Sequence, residues 1–432
     1  MKRRTFIRKA GMTAAGVALF PTILPAGTVF AKTGARKVNH VVFCLFAGGV
    51  RNLESVQKID GNLMPYTLNG SESISPDIIG GMSSLPMNNG STLQSESTFF
   101  KEFRYAQGPT GHYNAHGTAI TGNYVLENVQ IKEPPKNPTI FELYRKHNSS
   151  SNSALNAWWV TDSLGPYPAL NYSSYPGYGS VYGANMIQPL SVFNPRSYQV
   201  LGDPLNFHST DEEKAAMLRE FLDGQFKAPE QALATGIINT AEDADLLDQW
   251  IQTMLQESNS GLHANPWGVQ PMNSDMYNAF YATRILNAFE PELLVVNMTG
   301  IDVCHTNFTQ YCNNIRRADY ALGKLWDFIQ SHPVLANDTL LIVAPEHGRN
   351  LNPNTLQDQY GRYALDHTSD EMSREIFCMV AGPSSVVNQN NVISQVTGES
   401  IDVAPTIANA LGFDVDIPGG LLPGRVLTEA FI

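Results

Sequence analysis

Three pairs of an acidic residue and a histidine lie in the second half of the chain, close to apolar segments. The pairs are Asp302 with His305, Glu346 with His347, and Asp366 with His367. The first pair follows the apolar residues 293–298, and the second follows residues 340–344. Open α/β sheets place ligands beyond the carboxyl ends of their strands, so such pairs can converge there and offer oxygen and nitrogen atoms to divalent cations. The pattern predicts a metal-assisted hydrolytic site or the remnant of one.

Apolar runs and helical spacings predict the elements that would position these pairs. Residues 41–46 are continuously apolar and lead into Gly48 and Gly49, which is typical of a strand buried on both faces of a parallel sheet. Further strands are predicted at 97–105, 157–160, 293–298, 339–344 and 376–380, and helices at 112–121, 210–226, 240–257, 275–289, 311–329 and 402–411. This alternation predicts an α/β fold with a doubly wound, mostly parallel sheet flanked by helices, and a loop-rich insertion or cap at about 150–270.

The first residues have the order of an export signal. Arg3 and Arg4 precede a mildly apolar stretch at 10–20, and the small residues Val29 and Ala31 suit a signal peptidase. This order predicts a twin-arginine signal peptide at 1–31 and a periplasmic or secreted protein formed by residues 32–432. The apolar stretch is too short and too polar to span a bilayer stably, so no stable membrane insertion is expected.

Charge and cysteine content narrow the possible partners. The net charge of −12 gives no electrostatic support to nucleic-acid binding. Four cysteines do not form a disulfide framework in a chain of 432 residues. Cys304 and Cys312 are close enough in sequence to pair in an oxidising compartment, and they can equally be free thiols.

The order of motifs in the second half of the chain resembles a known superfamily. Residues 293–348 read strand, Asp-x-x-His, a helix containing Asp319, strand, and Glu-His-Gly. This order is similar to that of the alkaline-phosphatase-like superfamily, which includes phosphatases and sulfatases. Three segments more closely resemble a family of twin-arginine-exported bacterial proteins of unknown function; these segments are Gly111-His112-Tyr113-Asn114-Ala115, Glu346-His347-Gly348-Arg349-Asn350 and Asp366-His367-Thr368.

The superfamily resemblance implies a site for two divalent cations. It implies Asp302, His305 and His367 around one cation, and Glu346 with His347 around the other. Zinc suits the histidine content, whereas manganese or calcium would suit more oxygen ligands. The implied substrate is an anionic phosphate or sulfate ester of a small molecule or a polymer.

The resemblance also indicates catalytic and substrate-binding candidates. Members of the superfamily usually carry a serine or threonine nucleophile at a turn before a helix. By spacing, that position falls near His112, and Thr110 is the closest hydroxyl. His112 is a candidate ligand, general acid or base, or hydrogen-bonded structural residue, and His116 lies one helical turn on. Arg349 would either bind an anionic oxygen or form a salt bridge.

Two departures from the superfamily pattern bear on activity. Ala47 stands where an aspartate ligand to the second metal is usual, and no hydroxyl occupies the expected nucleophile position. One alternative is a metal-dependent hydrolase of phosphate or sulfate esters. The other is a catalytically degenerate metal-binding, anion-binding or assembly protein on the same fold, in which the metal could be absent. The departures predict ester hydrolysis that is slow or absent.

Overall fold

A sheet of eight strands organises the described part of the chain. The computed structural model describes residues 34–127, 133–148, 153–162, 170–194, 240–269, 271–368 and 370–432. Its strands are β1 His40–Phe46, β2 Ser97–Arg104, β3 Ala157–Val160, β4 Asn185–Ile187, β5 Leu293–Asn297, β6 Thr339–Pro345, β7 Glu375–Ala381 and β8 Asn391–Glu399. The predicted signal peptide and the helix predicted at 210–226 lie outside the described residues.

The strands lie in the order β4-β3-β5-β1-β6-β7-β2-β8. Strand β7 is antiparallel to its neighbours β6 and β2, and the other pairings are parallel. In the register of the central strand β1, Cys44 lies opposite Val296 of β5 and Val343 of β6. The segments that follow β1, β5 and β6 therefore leave the sheet side by side at one edge, where open α/β sheets bind their ligands.

Alternate side chains of β1 enter two separate hydrophobic cores. Val42, Cys44 and Phe46 pack into one core, whereas Phe43 and Leu45 pack into the other. All of them are at most 1% exposed. The continuously apolar residues 41–46 of β1 are thus buried on both faces of the sheet, as the residues of parallel strands are. The predicted α/β class with a doubly wound, mostly parallel sheet is confirmed.

Helices cover both faces of the sheet. The described helices are α1 Pro76–Ile79, α2 His112–Thr121, α3 Ile140–His147, α4 Pro189–Val192, α5 Ala241–Asn259, α6 Ser274–Phe289, α7 Phe308–Ser331 and α8 Val403–Leu411. Asn307 begins α7 by accepting a hydrogen bond from the backbone N–H of Gln310. None of the helices in this part of the chain has the length and apolar character needed to cross a membrane.

Asp319 in the middle of α7 has a structural role. Its carboxylate is fully buried and accepts hydrogen bonds from the backbone N–H groups of Tyr66 (2.9 Å) and Thr67 (2.8 Å). Burial is the largest influence on this group and raises the pKa of Asp319 to about 7, although both backbone donors act in the opposite direction. The helix thereby fixes the long loop that follows β1.

The cysteines do not form disulfides. All four are free and buried, so Cys304 and Cys312 are separate thiols. Burial raises the pKa of the Cys304 thiol to about 12, which keeps this thiol protonated and favours a packing role beside the site.

Candidate metal centre

The elements around β1 bring the predicted site residues to one edge of the sheet. A short 3-10 helix after β5, Gly300–His305, carries Asp302 and His305. The segment after β6 begins with Glu346 and His347, and His367 lies further along the same connection. His112 is the first residue of α2. Potential ligand atoms from these residues form two groups, and His112 belongs to both.

The first ligand group consists of Asp302, His305, His367 and His112, whose ligand atoms lie within 4.8 Å of one another. The Nε2 atoms of His305 and His367 are 2.9 Å apart. Asp302 Oδ1 is 3.2 Å from His112 Nε2, 3.3 Å from His305 Nε2 and 4.0 Å from His367 Nε2. Ligands around a tetrahedral zinc ion with bonds of about 2.0–2.1 Å are about 3.3 Å apart. The group therefore fits a zinc-sized cation.

The hydrogen bonds of His305 and His367 indicate what lies between their Nε2 atoms. His367 Nδ1 is 2.6 Å from the carbonyl oxygen of Thr110, so Nδ1 carries the proton and Nε2 presents a lone pair. His305 Nδ1 is 2.7 Å from Asp366 Oδ1, which likewise favours a proton on Nδ1. Two nitrogen lone pairs repel each other at 2.9 Å, so a proton or a metal cation must lie between the two Nε2 atoms. Such acceptors for Nδ1–H are typical of metal-bound histidine.

The second ligand group consists of His112, Glu346 and His347. Glu346 Oε1 lies 2.6 Å from His112 Nδ1 and 3.3 Å from His347 Nε2. His347 Nδ1 donates to the carbonyl oxygen of Gly348 at 2.7 Å, which leaves a lone pair on Nε2. This Nε2 atom is buried and has no hydrogen-bond partner among the described residues. A lone pair facing a carboxylate is repulsive unless a cation lies close by, so this group also fits a metal.

Glu346 connects three imidazoles. In addition to His112 and His347, His116 Nδ1 lies 3.2 Å from Glu346 Oε2, and the backbone N–H of Gly48 donates to Oε1 at 2.6 Å. Burial alone would raise the pKa of Glu346, but the positive charge and hydrogen bonds of His112, together with the other two histidines, hold it well below its usual range. Glu346 is therefore an ionised carboxylate in the interior.

His112 lies between the two carboxylates of the site. Its Nδ1 faces Glu346 and its Nε2 faces Asp302. Burial lowers the pKa of His112, but the charges and hydrogen bonds of Glu346 and Asp302 outweigh burial and raise the pKa to about 10. In the protein without metal, His112 is thus an imidazolium that supplies positive charge between the two ligand groups.

Burial and neighbouring groups shift the pKa values of His305, His347 and His367 in different directions. Burial is the largest influence that lowers the pKa of His367, and the neighbouring His347 lowers it further. The rings of these two residues stack with centroids 4.1 Å apart. Burial also lowers the pKa of His347. The hydrogen bond with Asp302 is the main cause that raises the pKa of His305. Neutral His347 and His367 have the protonation state that metal binding requires.

Arg349 lies next to the first ligand group and contacts its carboxylate. The side chain is fully buried, and Nη2 donates to Asp302 Oδ1 at 2.8 Å and to the carbonyl oxygen of Gly48. Nη1 donates to the carbonyl oxygen of Leu365 at 3.0 Å. Together with His112 and His305, Arg349 opposes the burial effect and lowers the pKa of Asp302. Arg349 thus orients a ligand carboxylate, and its predicted contact with a substrate anion stays a prediction.

Thr110 lies at the rim of the first ligand group. Its hydroxyl donates to the carbonyl oxygen of His367 at 2.9 Å, and its carbonyl oxygen accepts from the ring of the same residue. The side chain is 2% exposed. These paired contacts fix the His367 loop against the start of α2. The predicted catalytic roles of Thr110 and His112 stay predictions.

Two residues that contact the site were not among those predicted to be metal ligands, catalytic residues or substrate-binding residues. His116 binds the second oxygen of Glu346, and Asp366 holds the imidazole of His305. The i,i+4 spacing of His112 and His116 was a signal for the first of these residues, because it places both side chains on one face of α2. The adjacency of Asp366 to His367 was a signal for the second, although adjacency alone does not show which of the two residues is the ligand.

Comparisons with known proteins find solved structures whose backbones are distantly similar to that of this chain. No protein-family model matches the chain, and no curated protein matches it. A solved protein of the alkaline phosphatase superfamily from Vibrio parahaemolyticus has 14% identity and a TM-score of 0.48, over 99% of this chain and 79% of that one. The phosphonate monoester hydrolase of Silicibacter pomeroyi has 16% identity and a TM-score of 0.41, over 90% and 76%. The lipoteichoic acid synthase of Listeria monocytogenes has 14% identity and a TM-score of 0.40, over 91% and 74%.

The finer resemblance, to a family of twin-arginine-exported bacterial proteins, stays a prediction. At these identities and TM-scores the similarity is limited to the course of the backbone, and none of the three proteins assigns an activity to this chain.

Proposed function

We propose that this chain is a metal-dependent hydrolase of phosphate or sulfate esters. The observation that carries the proposal is the pair of Nε2 atoms of His305 and His367, 2.9 Å apart beside the carboxylate of Asp302. This arrangement supplies two imidazole nitrogens and one oxygen to a single cation, which is the ligand set of many catalytic zinc sites. The His305 side chain is 36% exposed, so the first ligand group is open to a substrate from solvent.

Charges around the first ligand group favour an anionic substrate. The cationic side chains of His112 and Arg349 lie beside the carboxylate of Asp302. A divalent cation held by Asp302 and His305 would place its positive charge where the His305 side chain is exposed to solvent, and a positive charge there attracts a phosphate or sulfate ester.

A cation bound here would supply Lewis acidity toward an ester oxygen. The residues of this chain would then position the reacting groups. Arg349 holds the carboxylate of Asp302 in place through a hydrogen bond, and Asp366 fixes the ring of His305. Zinc suits the nitrogen-rich first group, while manganese or calcium remains a proposal for a site with more oxygen ligands.

A second candidate function is metal or anion binding without turnover. The observation that favours it is that both ring nitrogens of His112 face carboxylates, so neither is directed at a substrate. The hydroxyl of Thr110 donates to the carbonyl oxygen of His367. The side chain after β1 is the buried methyl group of Ala47, which has no ligand atom. A protein of this kind would keep its cation and lack a positioned nucleophile.

A turnover assay separates the two functions. The full chain is loaded with zinc or manganese and assayed against an aryl phosphate monoester, a phosphodiester and an aryl sulfate. We expect metal-dependent turnover below about 1 per second, the low end of ordinary enzyme rates, because the hydroxyl of Thr110, the predicted nucleophile, donates to the carbonyl oxygen of His367. His347→Ala should abolish the turnover. The matched control is His332→Ala, which removes a histidine that lies beside Glu290 at the end of α7.

Each outcome of this assay decides between the candidates. Turnover that is lost in His347→Ala and kept in His332→Ala supports the hydrolase. Bound metal with no turnover of any ester overturns the hydrolase and supports the binding protein. Turnover that survives His347→Ala shows that the reaction takes place elsewhere.

We also propose that the protein acts after export from the cytoplasm. The support is the order of Arg3, Arg4 and the small residues up to Ala31 in the sequence. Replacing both arginines by lysine should retain the protein in the cytoplasm, as followed by cell fractionation. An undiminished periplasmic fraction of the double variant would exclude the twin-arginine route.

A further inference from the structure

We infer that His112 bridges two metal cations through its two ring nitrogens, one cation in each ligand group. This inference rests on the metal dependence proposed above and deepens it, because it states how the two groups are connected. The observation on which it depends is that His112 belongs to both groups of potential ligands. Its Nε2 is 3.2 Å from Asp302 Oδ1, and its Nδ1 is 2.6 Å from Glu346 Oε1.

Each ligand group is complete only with His112. In the first group, Asp302, His305 and His367 supply three ligand atoms, and His112 Nε2 is the fourth. In the second group, Glu346 and His347 supply only two atoms without His112 Nδ1. Ala47, directly after β1, has a buried methyl side chain and no donor atom. The imidazole of His112 therefore serves as the missing ligand of the second group.

The backbone holds the ring of His112 in this bridging position. His112 is the first residue of α2, directly after Gly111, and the next turn of the same helix places His116 against the other oxygen of Glu346. The ring of His112 also packs beside the stacked rings of His347 and His367, with centroid distances of 5.4 and 4.7 Å. Neighbours on several sides thus set the direction of both nitrogen atoms.

Binding of both cations would replace both N–H bonds of His112 with metal–nitrogen bonds, and two protons would leave to solvent. No oxidation or reduction is involved. With metal–nitrogen bonds of about 2.0–2.1 Å on either side of the ring, the two cations would lie about 6 Å apart. Two cations that clamp one phosphoryl group lie about 3.5–4 Å apart. The residues of the first group, with His305 36% exposed, would hold the cation that an ester can reach, whereas Glu346 and His347 of the second group are buried.

Copper substitution tests the bridge independently of activity. The full chain is titrated with Cu(II) to saturation, copper is counted by elemental analysis, and spins are counted by electron paramagnetic resonance. An imidazolate bridge pairs the spins of two Cu(II) ions, so we expect two ions per chain and a spin count well below the copper content. His112→Gln keeps polar contacts but cannot bridge, and its spin count should equal its copper content. His332→Ala should behave like the unaltered protein.

A full spin count in the unaltered protein, or one ion per chain, would overturn the bridge. Coupling that persists in His112→Gln would also overturn it. If His112→Gln does not fold, a crystal structure of the zinc-loaded, unaltered chain decides the matter: a metal–metal distance of about 6 Å supports the bridge, and about 4 Å excludes it. Absence of ester turnover would leave the spin count unchanged, so failure of the proposed function and failure of the bridge are distinguishable.

Discussion

His367→Ala should weaken zinc binding to the first ligand group by at least about 100-fold, since loss of a residue that merely supports a ligand already costs about 10- to 100-fold. The physical reason is that His367 Nε2 presents a lone pair 2.9 Å from His305 Nε2, with its Nδ1 proton held by the carbonyl oxygen of Thr110. The measurement is a competition titration of zinc against a coloured chelator of known affinity.

Two controls show whether a loss of zinc affinity is specific to the His367 side chain. His332→Ala removes a histidine near Glu290, at the end of α7, and should leave the affinity unchanged. The unfolding midpoint in urea shows whether His367→Ala is still folded, because His367 also accepts from the Thr110 hydroxyl through its carbonyl oxygen. That carbonyl remains in the alanine variant, so folding should be kept. An affinity equal to that of the unaltered protein would mean that the cation binds elsewhere.

Gly49→Ala should remove the cation of the second ligand group, lowering the metal content of the loaded protein by one ion per chain. Gly49 has a φ of +79°, which alone costs an L-residue about 1–2 kcal/mol. In addition, a Cβ atom at Gly49 would collide with the ring of His347 and lie 2.8 Å from the carbonyl oxygen of Gly348. The His347 ring must then leave its present position, in which Nε2 lies 3.3 Å from Glu346 Oε1. Elemental analysis and urea unfolding give the two readouts.

Gly361 provides a matched control for this substitution. Its φ is +75°, almost the same as that of Gly49, but a Cβ atom there would meet nothing within 4 Å. Gly361→Ala should therefore show only the backbone cost of about 1–2 kcal/mol and keep both cations. If Gly49→Ala is as mild as Gly361→Ala in both readouts, His347 is not a metal ligand in the position described.

The fold was predictable where strands are buried on both faces. Continuous apolar runs marked β1, β5 and β6, because a central parallel strand excludes polar side chains from both of its surfaces. Edge strands were missed for the converse reason. Among the described residues, strand β8 is paired on one side only, and it carries the exposed residues Val392 and Val396 among polar neighbours. Strand β4 has only three residues, which is too short for any periodicity to show.

The site was predictable in its residue types and less so in their roles. Acid–histidine pairs after strands indicated residues that the structure brings together, since the carboxyl ends of parallel strands meet at one edge of the sheet. For Arg349, the sequence could not separate an exposed anion-binding group from a buried one, because this depends on distant backbone atoms such as the carbonyl oxygen of Gly48. The thiols of Cys304 and Cys312 were ambiguous for a similar reason, since disulfide geometry depends on packing that spacing does not specify.

The antiparallel direction of β7 has a consequence for how such a site can diversify. Because β7 runs against β6, the connection between them turns back at the same edge of the sheet, whereas a parallel successor would have to cross to the opposite edge. Glu346, His347 and His367, which belong to the candidate metal centre, thus all lie on this one connection between β6 and β7. Insertions or exchanges within this one connection can reshape the entrance to the site while the hydrogen-bonded sheet is left intact. Grafting experiments that aim to change ester preference should begin there.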